Sequence, residues 1–189
     1  MNNMINKLEA YFMKEFFEKN GKLIVFFLLM LIPNYESKTI FLFLFSVSFL
    51  SSDIYHGRYS TLGALPFSRI EIFVSAYTFL ISIVFVSQLL AGTLGMLSLT
   101  DTITNLLIPS LIFVTAYFSI SMIFVQNSLN NLVFPLLIFF ADGILSSLPN
   151  NIFKNISPFI QENTLYSLIF AFILLIIAGY LFIEKGVQK

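Results

Sequence analysis

The side chains able to do chemistry are scarce, and one turn-rich stretch brings different kinds of them together. The chain has no cysteine and a single histidine, His56, which lies with Asp53, Tyr55, Arg58, Tyr59 and Arg69 in residues 53–69, Asp-Ile-Tyr-His-Gly-Arg-Tyr-Ser-Thr-Leu-Gly-Ala-Leu-Pro-Phe-Ser-Arg. One histidine cannot build a multi-histidine metal site. The lack of cysteine removes disulfides, thiolate metal centres and cysteine nucleophiles. No G-x-x-x-x-G-K-[ST], H-E-x-x-H or G-x-S-x-G sequence occurs, and carboxylates do not cluster. A nucleotide-holding P-loop, zinc-protease chemistry, this type of serine hydrolase and metal-dependent lipid transfer therefore lack their residues, and the chain is not expected to be an enzyme or to bind a cofactor or metal. What residues 53–69 offer is recognition, from charges and aromatic rings on a turn-rich frame.

The frame around that stretch is lipid-soluble. Of the 189 residues 58% are hydrophobic, 17% aromatic and only 11% charged, with a mean hydropathy of +0.90, which is far outside the range of soluble domains. The reading is an all-α, polytopic integral membrane protein. A formal net charge of zero argues against a nucleic-acid partner, because neutralising phosphates takes a surplus of Lys and Arg.

A spanning helix needs roughly 20 mostly apolar residues, set by a hydrocarbon core about 30 Å thick. By that ruler the chain is one transmembrane domain, 1–189, with spans at 70–97, 106–126, 132–148 and 164–183. Residues 22–52 are broken by Pro33-Asn34-Tyr35-Glu36-Ser37-Lys38 into apolar runs of about 11 and 14 residues, short for full crossings. Two thin or tilted spans with Lys22 and Lys38 snorkelling, or a re-entrant hairpin, both fit. Charge supports six spans with both termini cytoplasmic. Lys7, Lys14, Lys19, Lys22, Arg58, Arg69, Lys185 and Lys189 then lie inside, against Lys38 and Lys154 outside. Either version of the first hairpin leaves residues 53–69 in the cytoplasm.

Residues 1–20 mix Lys and Glu and lack the apolar core and small-residue site of a cleavable signal peptide. Met4, Ile5, Leu8, Tyr11, Phe12 and Phe16 share one side at helical spacing, as in a helix lying in the membrane interface. Glu15 and Lys19 project into the same arc and are spaced to pair as i,i+4 neighbours. In the loop, Gly57, Gly63 and Pro66 interrupt any long helix, so 53–69 is read as short turns and bends. Pro66 biases Leu65 away from helix, and Ser68-Arg69-Ile70-Glu71 has the spacing of a capping box that starts the third span.

These residues carry a resemblance. An acidic residue after the second span, a Gly soon after it, and then Leu-x-x-Leu-Pro-x-Ser-Arg resemble the first cytoplasmic loop of ABC type-2 exporter permeases; the matching positions are Asp53, Gly57, Leu62, Leu65, Pro66, Ser68 and Arg69. The layout is similar over nearly the whole chain, the motif over about 20 residues. The chain departs from the pattern in being short, in its thin first spans, and in having no basic residue near Ala76. The resemblance implies a transmembrane subunit that dimerises with itself or a second permease in the cell membrane and moves an amphipathic or hydrophobic substrate outward. A separate ABC ATPase would hold ATP and Mg and seat the 53–67 loop as a coupling helix. On that reading Asp53, Tyr55, Gly57, Arg58 and Tyr59 meet the ATPase, with Asp53 fixing the loop base. Pro66, Ser68 and Glu71 set the loop's exit.

Two polar residues inside apolar runs are candidates for the translocation path, Gln88 and Asp142. A charge at mid-bilayer costs roughly 2.5 to 3.5 kcal/mol, so Asp142 is expected to face protein or water, and a shallow interfacial place near Pro149 fits equally. Gln88 also fits an interhelical hydrogen bond. Ala91, Gly92 and Gly95 are read as close helix packing, and Asn127, Asn130 and Asn131 as a turn. For residues 149–163 the resemblance implies a short re-entrant or interfacial helix before the last span, and an ordinary external loop fits equally. Other functional classes stay open: the substrate-binding membrane subunit of a vitamin importer, or an accessory or immunity membrane protein without transport.

Overall fold

A computed structural model describes residues 2–58, 67–148 and 151–185, and among them every regular element is helical. In chain order these are α1 (Asn2–Met30), α2 (Tyr35–Val47), α3 (Leu50–Tyr55), α4 (Arg69–Leu94), α5 (Leu99–Thr102), α6 (Ile108–Gln126), α7 (Val133–Ser147), α8 (Phe153–Ile156) and α9 (Thr164–Lys185). A π turn, Ile103–Leu107, makes α5 and α6 one rod, Leu99–Gln126. It sits just before Pro109, whose missing N–H breaks the regular ladder at that point.

Among the described residues three helices are long and apolar enough to cross a membrane: Arg69–Leu94, Leu99–Gln126 and Thr164–Lys185. They are not equivalent. The apolar window of Leu99–Gln126 is 78% buried, against 44% for Arg69–Leu94 and 28% for Thr164–Lys185, so α6 is the central post and α9 a peripheral one. α9 meets its neighbours along Ser167, Ala171, Ala178 and Phe182, where three small side chains permit close approach. Around α6, Tyr117 stands 4.5 Å from Phe113, 5.5 Å from Phe43 and 5.7 Å from Phe139, ring centre to ring centre.

Glycine and alanine do what their spacing implies in α4. A Cβ on Gly92 would come within 2.1 Å of the Thr102 hydroxyl, and one on Gly95 within 2.5 Å of the Pro33 ring. Small residues here let α5 and the 31–34 turn close onto the end of α4. That end is a Schellman motif, with Met96 at φ 52 and the Leu97 and Met96 amides donating to the Gly92 and Thr93 carbonyls.

The first hairpin differs from expectation in its joints. Residues 1–20 and the first apolar run form one helix that kinks at Lys19 (φ −121, ψ 20). Beyond the kink it extends only about 16 Å to Met30, and α2 only about 20 Å, both short of a full hydrocarbon core. α2 begins at Tyr35, because the Asn34 side chain accepts from the Ser37 amide and Glu36 sits in the first turn. Lys38, expected at an outer loop, is therefore inside the helix and fully buried. The span expected at 106–126 likewise starts earlier, at Leu99, capped by Ser98, whose hydroxyl accepts from the Asp101 amide. The face of α1 expected to meet lipid partly meets protein instead: Tyr11 is fully buried, and Tyr11, Phe12, Phe16 and Phe49 set their rings against Phe79 of α4.

Polar contacts gather at the two ends of the helices. At one end the Asn131 amide donates to the Val47 carbonyl, Arg69 to the Ile183 carbonyl and Lys185 to Asn127. At the other, the Tyr35 hydroxyl donates to the Pro158 carbonyl, and the Gln161 amide donates to the Tyr35 hydroxyl and the Pro109 carbonyl.

Candidate functional site

Residues 53–69 leave the helices through two differently built roots. The first is α3. Its last turn closes as a Schellman motif: the Arg58 amide donates to the Asp53 carbonyl at 2.8 Å and the Gly57 amide to the Ile54 carbonyl at 3.1 Å. Gly57 occupies the left-handed position that motif requires, at φ 71. Gly57 thus has a backbone reason to be glycine. Tyr55, His56, Gly57 and Arg58 are exposed, with the His56 Nδ1 resting 2.9 Å from the Ser52 carbonyl.

The second root is the start of α4, and here the sequence reading holds in detail. The Glu71 amide donates to the Ser68 hydroxyl at 3.3 Å and the Ser68 amide to the Glu71 carboxylate at 2.7 Å, a complete capping box. Tyr59 and Pro66, also expected to contribute to this loop, lie outside the described residues, as does everything from 59 to 66.

Asp53 is not a surface residue. It is 1% exposed, and its carboxylate takes Lys19 at 2.7 Å and Lys14 at 3.3 Å. Both lysines also pair with Glu15, fully buried, at 2.9 Å each, so the i,i+4 pair expected from sequence is present and enlarged into a cluster. Glu18 joins Lys14 at 3.3 Å from the rim. Two buried carboxylates and two ammonium groups neutralise one another at the kink of α1. The ring of Phe49 lies 5.1 Å beneath Lys19. The cluster moves its neighbours' protonation. Burial first, then the Glu15 and Asp53 charges, pushes the Tyr11 hydroxyl well above its ordinary pKa. At Lys14 burial pulls the pKa down, but Glu15 and Asp53 outweigh it and hold the ammonium above its ordinary value.

α1 also reaches the second root. Lys7 donates to both oxygens of Glu71, at 2.8 and 2.9 Å, and lies 5.8 Å from the centre of the Phe67 ring. One helix therefore ties Asp53 through Lys14 and Lys19, and Glu71 through Lys7. A third element braces the first root from the other side. Asn130 donates to the Tyr55 hydroxyl at 3.1 Å while its carbonyl oxygen caps α7 through the amides of Leu132 and Val133, and Ser121 bonds Ser51 at 2.8 Å. Sequence reading assigned Asn127, Asn130 and Asn131 to turn formation alone, and it missed Lys7 and Lys14 as loop braces. The signal was present for Lys19, whose charge sat on the apolar arc of α1.

The two candidates inside the spans belong to separate hydrogen-bond networks. Gln88 is fully buried; its carbonyl oxygen accepts from Lys38, itself fully buried, and its amide donates to Ser87 at 3.0 Å. Asp142 is half-buried and accepts three hydrogen bonds, from the Tyr117 hydroxyl (3.0 Å), the Ser146 hydroxyl (3.1 Å) and the Phe159 amide (3.2 Å). Asp142 thereby joins α6, α7 and the turn after α8. Ile152 and Phe153 at the start of α8, and Ile160 in the turn after it, lie at the surface. Against protein-family models, curated proteins and solved structures, the chain matches none.

Proposed function

We propose that this chain is the transmembrane subunit of an ABC type-2 exporter in the cell membrane. It crosses six times with both termini in the cytoplasm, acts as a homodimer or with a second permease, and is driven by a separate ATPase that carries ATP and Mg. The substrate is an amphipathic or hydrophobic molecule, a lipid, peptide or drug. The observation that carries this reading is the double anchoring of residues 53–69: both roots of one polar loop are fixed to α1, at Asp53 and at Glu71. A partner's closure can bias the permease only through a contact that differs between states. A loop held at both ends passes that difference on to α3 and α4 instead of absorbing it. The alternation of contacts between the two ends of the helices supports six crossings, with α1 beyond Lys19, α2, α4, α6, α7 and α9 running in turn. Eight basic residues on the proposed inner side support the orientation.

In this assignment Tyr55, Gly57, Arg58 and Tyr59 meet the ATPase, and Asp53 holds the base without touching it. The test is the double variant Gly57→Ala/Arg58→Glu. Gly57→Ala forces a side chain into the left-handed region, at a cost of about 1 kcal/mol to the α3 cap. Arg58→Glu reverses the exposed charge. Co-purification with the native ATPase and stimulated hydrolysis are expected to fall at least about tenfold, as loss of one charge-assisted contact implies, with membrane insertion intact. Wild-type behaviour in both assays would contradict the assignment.

A further inference from the structure

A half-open cavity of about 290 Å³ lies between α6, α7, α8 and α9, lined by Ile120, Ile138, Leu145, Phe153 and Phe170, with Asp142 in its wall. Its size is at the small end of ligand pockets, roughly 300 Å³ and above. A carboxylate in an apolar wall is poorly solvated there and favours a cationic partner. Among the described residues Asp142 has none: no Lys or Arg comes within ion-pair distance, and all three groups bonded to it, Tyr117, Ser146 and the Phe159 amide, are neutral donors. An ionised carboxylate offers about four acceptor positions, so three donors hold it rigid and leave one open. The donors come from two helices and a loop, so the carboxylate is oriented before any ligand arrives.

We infer that this cavity binds a small lipophilic amine, its ammonium on Asp142 and its apolar body against Ile120, Ile138 and Phe170. Charge selects the cation over a neutral or anionic molecule of the same shape, and the apolar walls select against hydrophilic amines. The ligand is cargo only on the permease reading; binding itself is independent of it and is measured without an ATPase.

The full chain in lipid nanodiscs is photolabelled with a trifluoromethyl-diazirinyl benzylamine, the matching benzyl alcohol and the matching benzoate, and labelled peptides are mapped by mass spectrometry. The amine is expected to label peptides containing Ile120, Phe153 or Phe170 about tenfold more than the alcohol, with the benzoate weakest, as one charge-assisted hydrogen bond implies. Asp142→Asn, which keeps an acceptor for Tyr117, is expected to reduce amine labelling to that of the alcohol. Ala141→Phe, which fills the cavity and leaves the carboxylate, is expected to reduce both. Equal labelling by amine and alcohol in the wild-type chain would overturn the inference whether or not the variants fold, and so would unchanged amine preference in a folded Asp142→Asn protein. Amine labelling at the cavity with no ATPase-dependent export would leave the site standing and remove the permease reading.

Discussion

Asp53→Asn is expected to destabilise the protein by about 3–5 kcal/mol, because it leaves two nearly buried ammonium groups facing one buried carboxylate. Lys14 and Lys19 keep 13% and 5% of their side chains exposed, so water cannot replace the lost charge. The same physics predicts a rescue. In Lys19→Met/Asp53→Asn the remaining Lys14 and Glu15 balance, 2.9 Å apart, and the methionine stem fills the space over Phe49. That double variant is expected to recover more than half of the loss, giving a coupling energy well above the ~0.5 kcal/mol at which independent sites add. The midpoint of detergent-induced unfolding, followed by circular dichroism, reads both values. If Asp53→Asn shifts stability by less than about 0.5 kcal/mol, the size of an ordinary surface change, the cluster is not the brace described. The functional corollary is that limited proteolysis near Asn20 should accelerate in Asp53→Asn, since the kink of α1 is what the cluster holds.

Gln88→Leu is the second large effect. Lys38 is buried without a carboxylate among the described residues, and the Gln88 carbonyl oxygen is the acceptor it has. Removing that acceptor leaves a buried donor unsatisfied in an apolar bundle, at a cost of about 1.5–3 kcal/mol, the range for a hydrogen bond to a charged group. Removing both partners removes the problem, so Lys38→Met/Gln88→Leu is expected to be as stable as the wild type or more so. The same unfolding measurement applies. A Gln88→Leu protein as stable as the wild type would show that Lys38 finds water or another acceptor. On the proposed exporter reading, export by the stable double variant separates a path role from a purely structural one: retained export makes the pair a helix-packing device, and lost export makes it part of the route.

Much of the fold was legible because apolar run length and caps are local properties. The three long helices follow from hydropathy, and Ser68 to Glu71 folds as its spacing implies because a capping box needs only four consecutive residues. The joint at Lys19 was half visible. Glu15 and Lys19 broke an apolar arc at pairing distance, but the arc could not say that Asp53, on another helix, would complete the set. The place of Lys38 was misread because a lysine beside Pro33 and Asn34 resembles a loop, whereas Asn34 is the cap that pulls Lys38 into the helix. Lys7 to Glu71 and Asn130 to Tyr55 join residues far apart in the chain, and no periodicity records such a contact. The partner that residues 53–69 would meet comes from resemblance, while the fixing of their two roots comes from the geometry.

The most direct test of that loop's role is thiol labelling of the single-cysteine variant His56→Cys, in a chain with no other cysteine to confuse it. His56 is exposed on the turn after α3, so the thiol is reachable by a membrane-impermeant maleimide. Labelling is expected in inside-out vesicles and absent in intact cells, and it is expected to slow when the native ATPase is bound. Labelling of intact cells from outside would contradict the cytoplasmic loop and the six-crossing arrangement with it.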